Sequence, residues 1–325
     1  MPVRKALLAV AVLIVATASA AAQSYPAKPV TIVLPYAAGG NTDAIARTLA
    51  NRLEAKLGQP FIIEQRLGAA SVIGATYVSR AAPDGYTILI GTSTTMAINV
   101  SVYKKLPYDP TSDLAPISLV AGVPFILVVD PKLPVKSLAD LAGYAKSQPK
   151  GMTYASNGAG GAAHLFAELM AGELGIKLVH VPYKGLAPAM NDIMGGHVQM
   201  MFADFATALP LVRAGKLRAL GVSTAQRVGS GPEIPPLAEV GLKGFDASSW
   251  QMMIAPGKVP RGILNRLNSE IRAIINEPAV QADFSRRGLI PIGAGGTPDQ
   301  LRDFVKSEIE RWGAVVKRAG VAGSQ

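Results

Sequence analysis

Val30-Thr31-Ile32-Val33-Leu34-Pro35-Tyr36-Ala37-Ala38-Gly39-Gly40-Asn41-Thr42-Asp43 is the stretch whose reading decides the fold. Val30 to Leu34 reads as a buried strand, and Pro35 ends it. Gly39 and Gly40 make a turn, and Asn41 to Asp43 supply cap candidates for a helix. Ile45, Leu49, Leu53 and Leu57 then fall at four-residue spacing on one helical face, until Gly58 and Pro60 stop it. The same sequence of strand, glycine-rich turn and helix recurs further on. Met152-Thr153-Tyr154 leads into Ser156-Asn157-Gly158-Ala159-Gly160-Gly161, and a helical pattern follows through His164, Leu165, Glu168 and Leu169. These two units, at residues 30–45 and 152–165, predict two similar lobes facing one another across a cleft.

Working outward, Phe61-Ile62-Ile63-Glu64, Thr87-Ile88-Leu89-Ile90 and Phe125 to Val129 read as further strands. So do Leu178 to Val181, Met200 to Phe202 and Ala219 to Val222. Pro83-Asp84-Gly85 marks a turn, Leu138 to Lys146 a helix, and the Gly/Pro-rich stretch from Gly229 to Pro236 an irregular loop. Two amphipathic helices, Ile263 to Asn276 and Pro298 to Lys317, end the chain. Alternating strands and helices predict an α/β protein with parallel sheets covered on both faces. No short-period repeat and no clean linker interrupts the pattern.

Composition narrows the chemistry. The 325 residues are 49% hydrophobic and 17% charged, enough to bury a sizeable core. Cysteine is absent, which removes disulfides, thiolate nucleophiles, Fe–S clusters and Cys-ligated zinc. His164, His180 and His197 are the three histidines and show no metal-ligand spacing, so neither a metal nor a cofactor is expected. At the start, Arg4 and Lys5 precede the apolar run Ala6 to Ala16 and the small residues Thr17 to Ala22. That is the pattern of a cleavable secretory signal, residues 1–22, with cleavage after Ala22 and an apolar run too short to span a membrane. Removing Arg4 and Lys5 lowers the formal charge from +10 to +8. The basic residues are scattered, and Arg286-Arg287 and Lys317-Arg318 lack interleaved aromatics, so nucleic acid is not an expected partner.

No GxSxG elbow, GxxxxGK[ST] loop or HExxH helix occurs. A secreted hydrolase built on His164 with Ser156 is the enzyme alternative. The two sit eight residues apart around a helix start, which is poor geometry for a triad. His180 reads as a structural strand histidine, and His197, after Gly195-Gly196, as solvent-facing. What the residues do provide is two helix N-termini entered through glycine. The first turn of a helix leaves N–H groups unpaired, the macrodipole adds partial positive charge, and glycine lets the backbone approach a ligand. Each terminus is worth roughly 0.3–1 kcal/mol when exposed and up to ~2 when partly buried. Facing each other, the two would hold a carboxylate with backbone donors and water, without a dedicated arginine. Ordinary tight turns between strand and helix are the plainer reading of the same residues.

The chain resembles the substrate-binding proteins of tripartite tricarboxylate transporters, the Bug-type solute receptors, over essentially its whole mature length. The resemblance is carried by Tyr25-Pro26, the stretch Pro35 to Asp43, Pro83 to Thr87 and Leu106-Pro107-Tyr108-Asp109-Pro110. Tyr154 to Gly158 with His164-Leu165, His180-Val181-Pro182-Tyr183-Lys184-Gly185, Gly215 to Leu220, Ser249-Trp250 and Ala255-Pro256 complete it. It implies a two-lobed periplasmic-binding-protein fold of the Venus-flytrap type II kind, each lobe a mainly parallel sheet flanked by helices and closing by hinge motion. The expected lobes are 23–123 plus 246–325, and 124–245, with crossings near Val120 to Pro124 and Phe245 to Trp250.

Carried over residue by residue, the resemblance puts Tyr36, Ala38, Gly39, Gly40, Asn41 and Thr42 in the first binding loop. Ser93 and Thr94 join them, and Ser156, Asn157, Gly158, Gly160 and Gly161 form the second loop. Asp204 contacts the distal end of the ligand, and Asp43 braces its own loop, since a carboxylate facing the ligand would repel an anion. Gly161 stands where a hydroxyl is usual, Met96 where a histidine is usual, Leu67 for a proline and Ala70 for a glycine. The implied function is a monomeric periplasmic receptor that hands a small organic carboxylate to membrane permease subunits, without catalysis and not inserted in the membrane. A receptor feeding a sensor kinase is the other binding reading. Replacing His164 is expected to leave affinity nearly intact under the receptor reading and to abolish activity under the enzyme one.

Overall fold

The computed structural model describes residues 25–183, 185–292 and 295–325, so the expected leader and its cleavage point lie outside them. One sheet is built from β1 (Val30–Leu34), β2 (Phe61–Gln65), β3 (Thr87–Thr92), β4 (Leu114–Val123), β10 (Ser249–Pro256) and β11 (Ile290–Pro291), in the order β11-β4-β10-β3-β1-β2. The other takes β5 (Phe125–Val129), β6 (Met152–Ser156), β7 (Leu178–Pro182), β8 (Met200–Asp204) and β9 (Arg218–Val222), in the order β7-β6-β8-β5-β9. Each sheet defines a lobe.

The two orders repeat one plan. In each sheet three consecutive strands lie side by side and parallel, the earliest of them in the middle: β2-β1-β3 and β7-β6-β8. The third strand then pairs antiparallel with a strand that has just crossed from the other lobe, β10 in one case and β5 in the other. The strand about to leave, β4 or β9, pairs antiparallel with that one. By strand direction each sheet is mainly parallel, as expected: β1 to β4 run together with β10 and β11 reversed, and β6 to β9 run together with β5 reversed, so the antiparallel pairings are those made by the reversed strands. Alternating strands and helices account for the parallel half of each sheet. The crossings impose the antiparallel half, because a chain leaving a lobe and a chain entering it run through one hinge in opposite directions.

The crossings are hydrogen-bonded to one another. Phe125 N donates to Ser223 Oγ at 3.1 Å, Ser223 N to Phe125 O at 2.9 Å, and Ala247 N to Ser223 O at 2.8 Å. Both β4 and β10 are buried along their whole length. The sequence pattern did not separate β4 from the crossing that follows it, because Pro116 interrupts its run and prolines are rare inside central strands.

Helices α1 (Asn41–Leu57), α2 (Val72–Ser79), α3 (Asn99–Val102), α4 (Leu138–Lys146), α5 (Ala162–Leu174), α6 (Leu186–Met194), α7 (Phe205–Arg213), α8 (Arg261–Ile275), α9 (Pro278–Arg286) and α10 (Pro298–Arg318) cover the sheets. In α1 the predicted stripe of Ile45, Leu49 and Leu53 is buried, and Gly58 closes the helix in the left-handed region at φ 71°. The start of α10 is fixed by Pro298 and a capping box between Thr297 and Gln300.

Helix α10 also ties the lobes together. Trp312 stacks on Phe166 of α5 with centroids 5.9 Å apart. The buried Glu308 carboxylate accepts from Trp250 Nε1 at 2.6 Å, Trp312 Nε1 at 2.9 Å and an Arg311 guanidinium nitrogen at 3.1 Å. A buried carboxylate needs such donors, and here the two tryptophans of the chain supply them. Among the described residues no helix is long and apolar enough to cross a membrane, and no group of three or more His, Asp or Glu could hold a metal ion.

Candidate ligand-binding cleft

The predicted site residues gather at the carboxyl ends of parallel strands, where open α/β sheets bind ligands. Tyr36 to Thr42 follow β1, and Ser93 and Thr94 follow β3. Ser156 ends β6 and opens the second loop, and Asp204 ends β8. The lobes bring these ends together. A Cβ on Gly160 would sit 2.6 Å from Val102 Cγ1 of the first lobe, and one on Gly185 would lie 3.8 Å from Ala37 Cβ.

In the first loop Ala38 and Gly39 are exposed, Tyr36 and Gly40 half-buried, and Asn41 and Thr42 buried. Gly40 enters α1 without a side-chain cap, so the first helical N–H groups face the cleft uncapped. Asp43 turns back: its Oδ2 accepts from Gly39 N at 3.0 Å and its Oδ1 lies 3.0 Å from Arg47 Nε. Asp43 therefore braces the loop. The Thr42 hydroxyl is taken by Gln251 Nε2 at 2.8 Å, which pins α1 to β10. Asn41 Nδ2 is buried with no hydrogen-bond partner among the described residues. Beside Gly39 and Gly40 a recess of about 430 Å³ opens between Asp43, Arg47, Asn51 and Arg287.

A row of hydroxyls backs this loop. Tyr36 Oη lies 2.9 Å from Thr92 Oγ1, Thr92 N donates to Thr95 Oγ1 at 3.1 Å, and Ser71 Oγ lies 2.8 Å from Thr95 Oγ1. Burial raises the Tyr36 phenol, the hydroxyls of Thr92, Ser71 and Thr95 pull it back, and the Asp204 charge across the cleft raises it further. Ser93 Oγ bonds Ser249 Oγ at 2.8 Å, so the Ser93 hydroxyl serves the seam between β3 and β10. Ser71, Thr92, Thr95, Ser249 and Gln251 were not read as site residues. The hydroxyl run Thr92-Ser93-Thr94-Thr95 at a strand end was the signal for two of them. Ser71 depends on a turn in which Ala69, Ala70 and Ser71 all take positive φ, 47°, 47° and 75°. That turn is held by Asn99 Nδ2 on Ala70 O and Tyr103 Oη on Ala69 O, and one of its strained positions is Ala70, where a glycine was expected.

The second loop is more deeply buried, and Ser156, Gly160 and Gly161 are inaccessible. Gly161 enters α5 with no side-chain cap. Ser156 Oγ lies 2.7 Å from His180 Nε2, accepts from Gly158 N at 3.2 Å and reaches Gly158 O at 3.0 Å. Gly160 N donates to His164 Nδ1 at 2.9 Å. Ser156 therefore pairs with His180 and not with His164. The distance suits a nucleophile and its base, but the hydroxyl is fully buried and tied to its own loop, which makes the pair a brace. His164 likewise holds the loop, through the bond that its Nδ1 accepts from Gly160 N. His197 is exposed.

Asp204 stands at the N-cap of α7 but makes no capping bond. Its side chain is half-buried by surface area and ringed by protein, and burial pushes the carboxyl up to about 7. A carboxyl near that value donates a hydrogen bond when protonated and repels an anion when not.

Two α/β lobes, hinged by paired crossings and each carrying a glycine-entered helix terminus at the ends of its parallel strands, define a bilobal solute-binding protein. The profile described as "Tripartite tricarboxylate transporter family receptor" matches residues 45–321, and the chain belongs to that family. Protein BugT of Bordetella pertussis (strain Tohama I) is 38% identical over 319 residues, spanning 97% of each chain. Among solved structures, R. palustris Rpa4515 with adipate is 37% identical, with TM-score 0.87 over 92% of this chain and 99% of that one. Periplasmic binding protein BugD is 34% identical, with TM-score 0.86 over 92% and 99%. MatC from Rhodopseudomonas palustris, with bound malate, is 32% identical, with TM-score 0.84 over 90% and 100%.

Proposed function

We propose that this chain is a periplasmic receptor that binds a small carboxylate-bearing solute between its lobes and delivers it to the membrane subunits of a tripartite transporter. The lobes of this reading are 23–123 plus 246–325, and 124–245, freed from a leader cleaved after Ala22. The observation that carries it is a pair of helix N-termini, those of α1 and α5, one in each lobe and each entered through a glycine that offers no competing acceptor. The unpaired Asn41 amide adds a donor at the same place. Tyr36, Ala38 to Thr42 and Ser156 to Gly161 line the carboxylate end, with Thr94 beside them. Ser93 supports that wall from behind. Asp204, protonated, meets the distal end. Two relatives solved with adipate and malate carry acids of this class.

The test is thermal shift on residues 23–325 with adipate, malate and a panel of other carboxylates, each beside its neutral amide. A ligand at a hundred times its Kd adds about 2.7 kcal/mol, roughly 5–10 °C for a chain of this size. A shift with acids and none with their amides supports the reading. Equal shifts with both, or turnover of the ligand, would sink it.

A further inference from the structure

The second glycine loop is fastened at both ends by an imidazole, and the two imidazoles are stacked on each other. His164 Nδ1 takes the Gly160 N–H at 2.9 Å, and His180 Nε2 lies 2.7 Å from Ser156 Oγ. The rings are parallel to within 6° with centroids 4.0 Å apart, and Tyr154 packs beside both rings, 5.0 Å from His180 and 6.1 Å from His164. Gly160 is held at φ 76° and Gly158 at φ 137°, conformations that glycine adopts freely and therefore does not itself enforce. Something outside the loop has to select them. We propose that His164 and His180 are positioning residues: a stacked pair of neutral imidazoles that clamps the loop at Gly160 and Ser156 and so aims its remaining amides into the cleft.

The chemistry requires neutrality. His164 Nδ1 accepts from an amide, so a proton there would set two donors against each other. Two charged rings at 4.0 Å would also repel. Burial lowers both rings to about 4, and His180 adds to the lowering of His164. The titratable groups facing the pair are Tyr154 from β6 and, one turn along α5, Glu168, whose Oε1 takes the Tyr154 hydroxyl at 2.5 Å. From the first lobe the neighbour of Gly160 is the apolar Val102. Because the folded values lie below the ordinary 6.5, the unfolded chain binds more protons between about 6.5 and 4. Stability from the pair is complete above that window and falls as pH drops through it.

The clamp itself does not depend on which solute binds, whereas its effect on affinity rests on the receptor reading above. The experiment therefore has two arms. In a His197→Gln background, imidazole nitrogen NMR reads the pair alone. At pH 7 His164 is expected to carry its proton on Nε2, with both rings uncharged down to about pH 5. A proton on His164 Nδ1, or a charged ring at pH 6, overturns the clamp. In the second arm calorimetry measures adipate and malate with His164→Asn, whose Oδ1 offers an acceptor near the place of Nδ1, and His164→Leu, which offers none. The Asn variant is expected within about threefold of wild type and the Leu variant about tenfold weaker, the equivalent of one buried hydrogen bond. Equal affinities for the Leu variant and wild type, or equal losses in both variants, overturn the proposal. If wild type binds neither acid, the receptor reading loses its support, and exchange of the Gly160 amide in the Leu variant still decides the clamp: faster exchange upholds it, unchanged exchange refutes it.

Discussion

The two glycine loops present the same device to the cleft and are held by different chemistry. The first is braced by charge, with Asp43 accepting from Gly39 N and paired to Arg47, and its tip at Ala37 to Gly39 is exposed. The second is braced by neutral rings, with Asn157 to Ala159 half-buried and Gly160 buried beside Val102 of the other lobe. The Asp43 carboxylate is buried but its partner Arg47 stands in solvent, so the pair is only partly desolvated. The same pair in the buried loop would have to be stripped of water, and uncharged imidazoles avoid that. The difference teaches that burial selects the brace, while the ligand-facing end needs only unpaired N–H groups.

The sharpest way to break this comparison is to put the same methyl group on each tip. Gly160→Ala forces a left-handed alanine at φ 76° and drives its Cβ to 2.6 Å from Val102 Cγ1. Gly39→Ala meets nothing within 4 Å and pays only for its φ of 87°. Left-handed strain is about 1–2 kcal/mol in both. The clash across the lobes adds roughly 1–3 kcal/mol. Affinity is therefore expected to fall about a hundredfold for Gly160→Ala and about tenfold for Gly39→Ala. Val102→Ala should recover the clash part of the first loss and none of the second. Titration of the four variants with an identified ligand checks this, and equal losses at both glycines would erase the distinction between the loops.

Both loops and their helices were legible because they are local. A hydrophobic run, a glycine pair and a four-residue apolar spacing all lie between Val30 and Leu57, and the structure places β1 and α1 where that spacing puts them. The braces were legible only where they too are local, as with Asp43 four residues from Gly39. Ser156 finds His180 across 24 residues, Ser71 finds Thr95 across 24, and Gln251 finds Thr42 across 209. No periodicity announces such pairs, because strand order decides them. The reversed strands were hidden for the same reason: β10 and β5 take their antiparallel places from the hinge, not from their own residues.

Asp204 sharpens the comparison at intermediate size, because it puts a titrating carboxyl on the second lobe. With the carboxyl near 7, an acid whose distal end is anionic binds best with Asp204 protonated. Its affinity should then fall as pH rises through 7, approaching tenfold per unit above about 8, and binding near pH 7 should take up a proton. A ligand with a cationic distal group reverses both signs. Calorimetry in two buffers of different ionisation enthalpy reads the proton directly, and Asp204→Asn should flatten the profile. A flat wild-type profile would remove Asp204 from the ligand's surroundings.

The smallest effect lies in the hinge, where the approach of the second lobe is reported by light. Trp250 and Trp312 share Glu308, but Trp312 alone stacks across the lobes on Phe166. Hinge closure repositions α5 against α10, so a ligand-induced change in emission should survive Trp250→Phe and vanish in Trp312→Phe. Glu308→Gln keeps the shape but replaces a carboxylate that serves two indole N–H donors with an amide that serves them less strongly. It should destabilise the chain by about 1.5–3 kcal/mol, the worth of hydrogen bonds to a charged group, while leaving the ligand-facing loops untouched. Affinity near wild type with a lowered Tm is the expected pair of readings. A large loss of affinity at unchanged Tm would mean that the Glu308 cluster sets the closed angle itself, and the second loop's reach toward Val102 would then be controlled from the hinge rather than by its own imidazoles.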